Sequence, residues 1–84
     1  MKKPASTLKR RKNAMSRAVR QALNQRGLMQ AYRARPPYQQ NDYLGWINRA
    51  KLEATKLRRL KQMLAELERG SGYMNMAWRP RAER

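Results

Sequence analysis

An all-α domain, three to four short helices in a small bundle, is the fold class this sequence predicts. A disordered basic N-terminal tail and an extended C-terminal segment are expected to flank it. Apolar residues recur at steps of three and four through the middle of the chain. Glycine or proline punctuates the gaps between these runs, and strand-like alternation occurs only near the end. At 84 residues there is room for one domain with a thin core. With no cysteine, no disulfide or thiolate metal site can reinforce it.

Residues 1–14 read as the basic tail. Lys2-Lys3-Pro4 and Lys9-Arg10-Arg11-Lys12 are charge runs with almost nothing apolar to bury. Such a tail is either an arm that touches phosphates or a solvated extension.

Residues 15–70 form the expected helical domain. Its first helix is predicted over Arg17 to Gln25, with Ser16 as N-cap and Gly27 just past the end. Val19, Ala22 and Leu23 lie at helical spacing. A short second helix covers Leu28 to Arg33, with Leu28, Ala31 and Tyr32 inward. Pro36-Pro37 ends it and imposes an extended turn.

The next helix is expected from about Gln39 to Ala50. Tyr43, Trp46, Ile47 and Ala50 share one face, and Asp42 is placed in the first turn, where negative charge is favoured. Gly45 costs roughly 1 kcal/mol relative to alanine and suggests close approach of another helix.

The last helix is predicted over Ala54 to Arg69, ended by Gly70. Leu57, Leu60, Leu64 and Leu67 form its stripe, with Met63 at the edge. Lys51-Leu52-Glu53 contains no breaker, so a separation from the preceding helix is not encoded by any one residue there. The expected core is Val19, Leu23, Leu28, Tyr32, Tyr43, Trp46, Ile47, Leu57, Leu60, Leu64 and Leu67.

Residues 71–84 form the C-terminal segment. Met74, Met76 and Trp78 alternate with Asn75 and Ala77 as in a strand. A lone strand must lie across the helices or add to a partner's sheet.

The composition argues against catalysis. Histidine and cysteine are both absent, which removes the commonest general base and the strongest nucleophile. The five carboxylates, Asp42, Glu53, Glu66, Glu68 and Glu83, read as helix-end and charge-balancing groups. No catalytic residue, metal ligand or cofactor site is expected, and no small-molecule substrate. The four glycines are scattered rather than gathered into a phosphate loop.

What remains is charge. The net value is +16, from 21 Lys and Arg against 5 Asp and Glu, and no acid precedes Asp42. A chain so basic attracts polyanions from a distance. The expected partner is an anionic macromolecule, either nucleic acid or an acidic protein. The candidate polyanion contacts are Lys9, Arg10, Arg11, Lys12, Arg17, Arg20, Arg58 and Arg59. Each alone is an ordinary solvated cation, but their sum exceeds what solubility requires. Of the aromatics, Tyr32, Tyr43 and Trp46 sit at core spacing, whereas Tyr38 and Trp78 fall outside the stripes. Tyr38, Met74, Met76 and Trp78 are therefore the candidate partner contacts, and docking through them as a protein-interaction adaptor is a further reading. No apolar run reaches the roughly 20 residues of a membrane span, and the basic start lacks the apolar stretch of a secretory signal. A cytoplasmic location is expected.

The run Arg35-Pro36-Pro37-Tyr38-Gln39-Gln40-Asn41-Asp42-Tyr43-Leu44-Gly45-Trp46-Ile47, followed by Ala50-Lys51, Thr55-Lys56 and Arg59, resembles the bacteriocin-protection family, also described as YdeI or OmpD-associated. The likeness covers roughly residues 16–70. It implies a small helical bacterial domain that in many relatives follows a β-barrel domain; here the helical unit is expected to stand alone. Glu53 occupies the position of a proline usual before the last helix. The ending Tyr73-Met74-Asn75-Met76 resembles that of short, single-domain relatives. The family name implies tolerance to bacteriocins or cationic peptides and supplies no catalytic residues. A chain at +16 repels a cationic peptide, so protection by direct sequestration is physically disfavoured, and any such effect runs through an anionic partner or surface.

Overall fold

The computed structural model describes residues 12–80, and four helices run through them. The helices are α1 (Arg17–Gln25), α2 (Met29–Ala34), α3 (Pro37–Asn48) and α4 (Glu53–Arg69). None is long and apolar enough to cross a membrane. Residues 1–11 of the expected tail, and 81–84, lie outside the described residues.

Helix α1 begins and ends as its sequence predicts. The Ser16 hydroxyl accepts a hydrogen bond from the Val19 N–H at 3.2 Å, which satisfies one of the first-turn donors that have no partner inside the helix. At the other end Gly27 has φ +68°. The Leu28 N–H reaches back to the Leu23 carbonyl at 2.8 Å and the Gly27 N–H to Asn24 at 3.2 Å. This is a Schellman closure, and both its flanking leucines, Leu23 and Leu28, are buried. The same turn therefore stops α1 and starts the core.

Helix α2 ends at Ala34 because Arg35 must be extended before Pro36 (ψ 152°). Helix α3 begins two residues earlier than expected, with Pro37 at its first position. A proline there loses only an N–H that would have no helical partner. The earlier start moves Asp42 out of the first turn. Asp42 instead accepts a hydrogen bond from the Tyr73 hydroxyl at 2.5 Å.

Helices α3 and α4 are separate, although no proline divides them. Asn48 ends α3, and Leu52 is extended with ψ 143°. The Arg59 guanidinium of α4 donates to the Trp46 carbonyl at 2.6 Å and lies 5.3 Å from the Trp46 ring centre. An otherwise unpaired carbonyl near the end of α3 thus finds its partner across the corner.

The core draws on all four helices: Val19, Leu23, Leu28, Tyr32, Tyr43, Leu44, Ile47, Met63, Leu64 and Leu67. Three expected members differ. Leu57 is 51% exposed, and Trp46 and Leu60 are only partly buried. The reason lies in how α4 is turned. Its inward face centres on Met63, and at about 100° per residue Leu57 sits roughly 120° away. Glu66, about 60° from Met63 on the opposite side from Leu57, is drawn inward and is 2% exposed.

Gly45 does admit a close neighbour, but that neighbour is not a helix. A Cβ there would lie 2.6 Å from the Asn13 side-chain nitrogen. Asn13 is held by Asn41, whose side-chain oxygen accepts from the Asn13 N–H at 2.7 Å and whose carbonyl accepts from the Asn13 amide at 3.0 Å. Packing against α3 therefore begins before α1 does.

The C-terminal alternation does not make a continuous strand. Met74 and Asn75 have φ +48° and +70°, and Tyr73 and Met76 exchange both backbone hydrogen bonds at 2.9 and 2.8 Å. The chain reverses in a two-residue loop with both central residues left-handed, as in primed hairpin turns. It pairs with itself, which the strand reading excluded. The Gly72 N–H extends the closure to the Trp78 carbonyl at 2.8 Å. Gly72 itself has φ +88° with the Arg69 guanidinium lying against it. Gly72→Ala adds a left-handed penalty of roughly 1–2 kcal/mol. Its melting temperature is expected to fall by at least about 4–8 °C. A thermal melt that is unchanged would show that this reversal does not contribute to stability.

Candidate functional site

The reversal at residues 71–78 packs against the junction of α2, α3 and α4, and the side chains that hold it there are polar. Arg35 occupies the extended link before α3. Gln39 and Tyr43 follow at one-turn intervals on the inward face of α3, and Glu66 faces them from α4. Arg35, Gln39 and Glu66 are 5%, 0% and 2% exposed. Buried polar groups must find partners, and each of these does.

Glu66 is the acceptor on which the junction converges. Its Oε1 takes the Tyr43 hydroxyl and the Met74 N–H at 2.9 Å. Its Oε2 takes the Asn75 N–H at 2.8 Å and the Gln62 amide at 3.3 Å. Consecutive N–H groups in left-handed residues form a concavity suited to an anion, and here the chain's own carboxylate fills it. The unfavourable φ values at Met74 and Asn75 are thereby offset by two charge-assisted hydrogen bonds.

Arg35 performs the complementary task. One guanidinium nitrogen donates to the Gln39 side-chain oxygen at 3.0 Å and to the Gly72 carbonyl at 2.7 Å. The other donates to the Glu66 carbonyl at 3.0 Å. The guanidinium face stacks on the Trp78 ring, 4.3 Å from its centre. The planar fork is what allows one side chain to bridge α3, α4 and the reversal together. Above them, Tyr73 packs edge-on against Tyr43 and Tyr38, with ring centres 5.5 and 5.9 Å apart.

Burial by itself would raise the Glu66 pKa. The Tyr43 hydroxyl, the Asn75 and Met74 amides and Gln62 outweigh it and hold the carboxyl below its ordinary range. Tyr43 is pushed well above the usual phenol range, first by burial and then by its bond to Glu66. Two consequences for stability follow by linkage. The Glu66 contribution is complete above the unfolded carboxyl value, about 4.3, and is lost as pH falls through the lower folded value. The Tyr43 contribution is complete below about pH 10 and is lost as pH rises beyond it. Urea midpoints are therefore expected to form a plateau between roughly pH 5 and 9. In Glu66→Gln the acid limb should flatten, and an unaltered acid limb would contradict this assignment.

The predicted contacts fall into different settings. Lys9, Arg10 and Arg11 lie outside the described residues. Lys12, Arg17, Arg20 and Arg58 are exposed. Arg59 is partly buried and spends its guanidinium on Trp46. Tyr38 and Met76 are exposed at 48% and 55%, Met74 packs on the core, and Trp78 is half-buried against Arg35. Asn75, Met76, Trp78, Arg69 and Arg79 line an open cleft of about 380 Å³ beside the end of α4. Glu68 does balance charge, facing Arg26 at 3.6 Å, but this pair is exposed and contributes little. Among the described residues no three His, Cys, Asp or Glu side chains gather to hold a metal.

Sequence reasoning missed Arg35, Gln39 and Glu66. Gln39 had a signal, four residues before Tyr43 on the same helical face. Glu66 had one too, three residues after Met63. Arg35 had none, being one cation among eleven before Asp42.

A family model described as bacteriocin-protection, YdeI or OmpD-associated matches residues 14–70. No curated protein and no solved structure matches the chain.

Proposed function

The chain belongs to the bacteriocin-protection, YdeI or OmpD-associated family, and from that premise we propose that it acts without catalysis, as a helical module that docks onto an anionic macromolecule. The observation that carries this reading is the division of its charges. The buried ions, Arg35 and Glu66, are consumed by hydrogen bonds within the fold. Among the described residues the remaining cations are mostly exposed, Lys12, Arg17, Arg20, Lys51, Arg58 and Lys61 among them. A surplus of +16 raises the local concentration of polyanions and speeds encounter with them. The Glu66 carboxylate has both oxygens engaged with the chain's own donors, which argues for a structural role and against a reactive one.

Chromatography on immobilised heparin tests this. The chain should be retained at about 0.15 M salt and elute only well above it. Elution in the void volume at low ionic strength would remove the proposal. A net-neutral helical protein of similar size serves as the baseline.

A further inference from the structure

We propose that the cleft beside the end of α4 is a stacking site for single-stranded nucleic acid, an inference that rests on the polyanion reading above and names its partner. Trp78 is the platform. Arg35, buried and fixed by three hydrogen bonds, covers the indole at 4.3 Å and sets the orientation of the ring before any partner arrives. Little ordering entropy is then lost on binding. The partly buried Trp78 lines the cleft with Met76, Asn75, Arg69 and Arg79.

Each of these groups suits one part of a nucleotide. The Trp78 indole presents a flat surface to a base, and stacking of this kind tolerates any base. Exposed Met76 adds a polarizable thioether beside it. Asn75 gives its backbone N–H to Glu66, and its exposed side-chain amide can meet a base edge. Arg69 and Arg79, both exposed, are two guanidinium forks matched to phosphate. Charge complementarity alone would accept any polyanion. The pairing of a flat aromatic with two arginines favours an unstacked base joined to phosphates. An acidic polypeptide has no aromatic face in its repeating unit, and a duplex keeps its base faces stacked.

The test uses the full chain and an end-labelled oligothymidylate of about 12 nucleotides, within the site sizes common for single-strand binders. A duplex of the same length and polyglutamate are the comparison probes. Trp78→Ala is expected to weaken oligothymidylate binding about ten- to hundredfold, with polyglutamate binding unmoved. Trp78→Phe should retain most of the affinity. Replacing Arg69 and Arg79 together by Gln should reduce the log–log salt slope by about 1.4. Should Trp78→Ala fold poorly, Trp46→Phe leaves Trp78 as the sole indole of the two, and its fluorescence should be quenched by oligothymidylate. An unquenched indole overturns the proposal. So does unchanged single-strand affinity in Trp78→Ala, or a duplex that binds equally well. Polyglutamate binding that falls in parallel would assign the cleft to an acidic protein instead. If heparin retention persists while the Trp78 results fail, only the stacking site is lost. If heparin retention also fails, the broader reading goes with it.

Discussion

Glu66→Gln should lower folding stability by about 2–4 kcal/mol, because hydrogen bonds to a buried charge are worth about 1.5–3 kcal/mol and an unmet donor costs more. Glu66 accepts four hydrogen bonds, from Tyr43, Met74, Asn75 and Gln62. A glutamine keeps the shape but turns one acceptor into a donor. That amide must then face a donor of its own kind, whichever way it is oriented. Small domains hold only about 5–15 kcal/mol in total, so the loss is a large share. The urea midpoint is expected to fall by about 1–3 M. The Met74 and Asn75 amides should also exchange faster than those of α1, since this carboxylate is their acceptor. A midpoint equal to that of the native chain would mean that Glu66 does not hold the C-terminal reversal.

The second large effect is at Arg35. Arg35→Met removes the donors to Gln39, Gly72 and Glu66; the Glu66 carbonyl keeps the Gly70 N–H at 3.0 Å, but the buried Gln39 side-chain oxygen and the Gly72 carbonyl lose this donor. Each such group costs about 1–3 kcal/mol, so a total near 3 kcal/mol or more is expected. Arg35→Lys should recover little of it. An ammonium is a point donor that cannot span the three oxygens or present a flat face to Trp78. Thermal melts of the two variants and the native chain separate these cases. Full recovery by lysine would show that charge alone, and not the planar fork, matters at this position.

These two residues also mark where reading the sequence stopped short. The helices were legible because their signals are local. Ser16, Gly27, Pro36-Pro37 and Gly70 act on their immediate neighbours, and α1 runs over the expected Arg17–Gln25. The rotation of α4 was not legible. A leucine stripe fixes an apolar face to within a turn's width, and the tertiary partner decides which edge is buried. Met63 and Glu66 prevailed over Leu57 because the reversal needed an acceptor on that side. The reversal was missed for a related reason. Met74-Asn75 lacks the glycine that announces a primed turn, and its conformation is supported by Glu66, eight and nine residues earlier. Arg35 shows the limit of charge counting: the residue adds to the net charge but is withdrawn from the surface.

The family match ends at residue 70, yet the fold does not. Arg35 and Glu66 lie inside the matched region and bind backbone groups beyond it, at Gly72, Met74 and Asn75. The same contacts bring Trp78 to the end of α4 beside Arg69 and Arg79. The polar junction thus links stability to the proposed contact surface, and a variant that frees the reversal should weaken partner binding as well.

The central claim is that externally placed positive charge makes this molecule a ligand for polyanions. It is tested most directly by titrating the chain with a labelled polyanion from about 50 to 200 mM salt. The expected result is a linear fall of log affinity against log salt, steep enough to account for several released counterions. Affinity that does not change with salt, or no complex at the lowest salt, would contradict it.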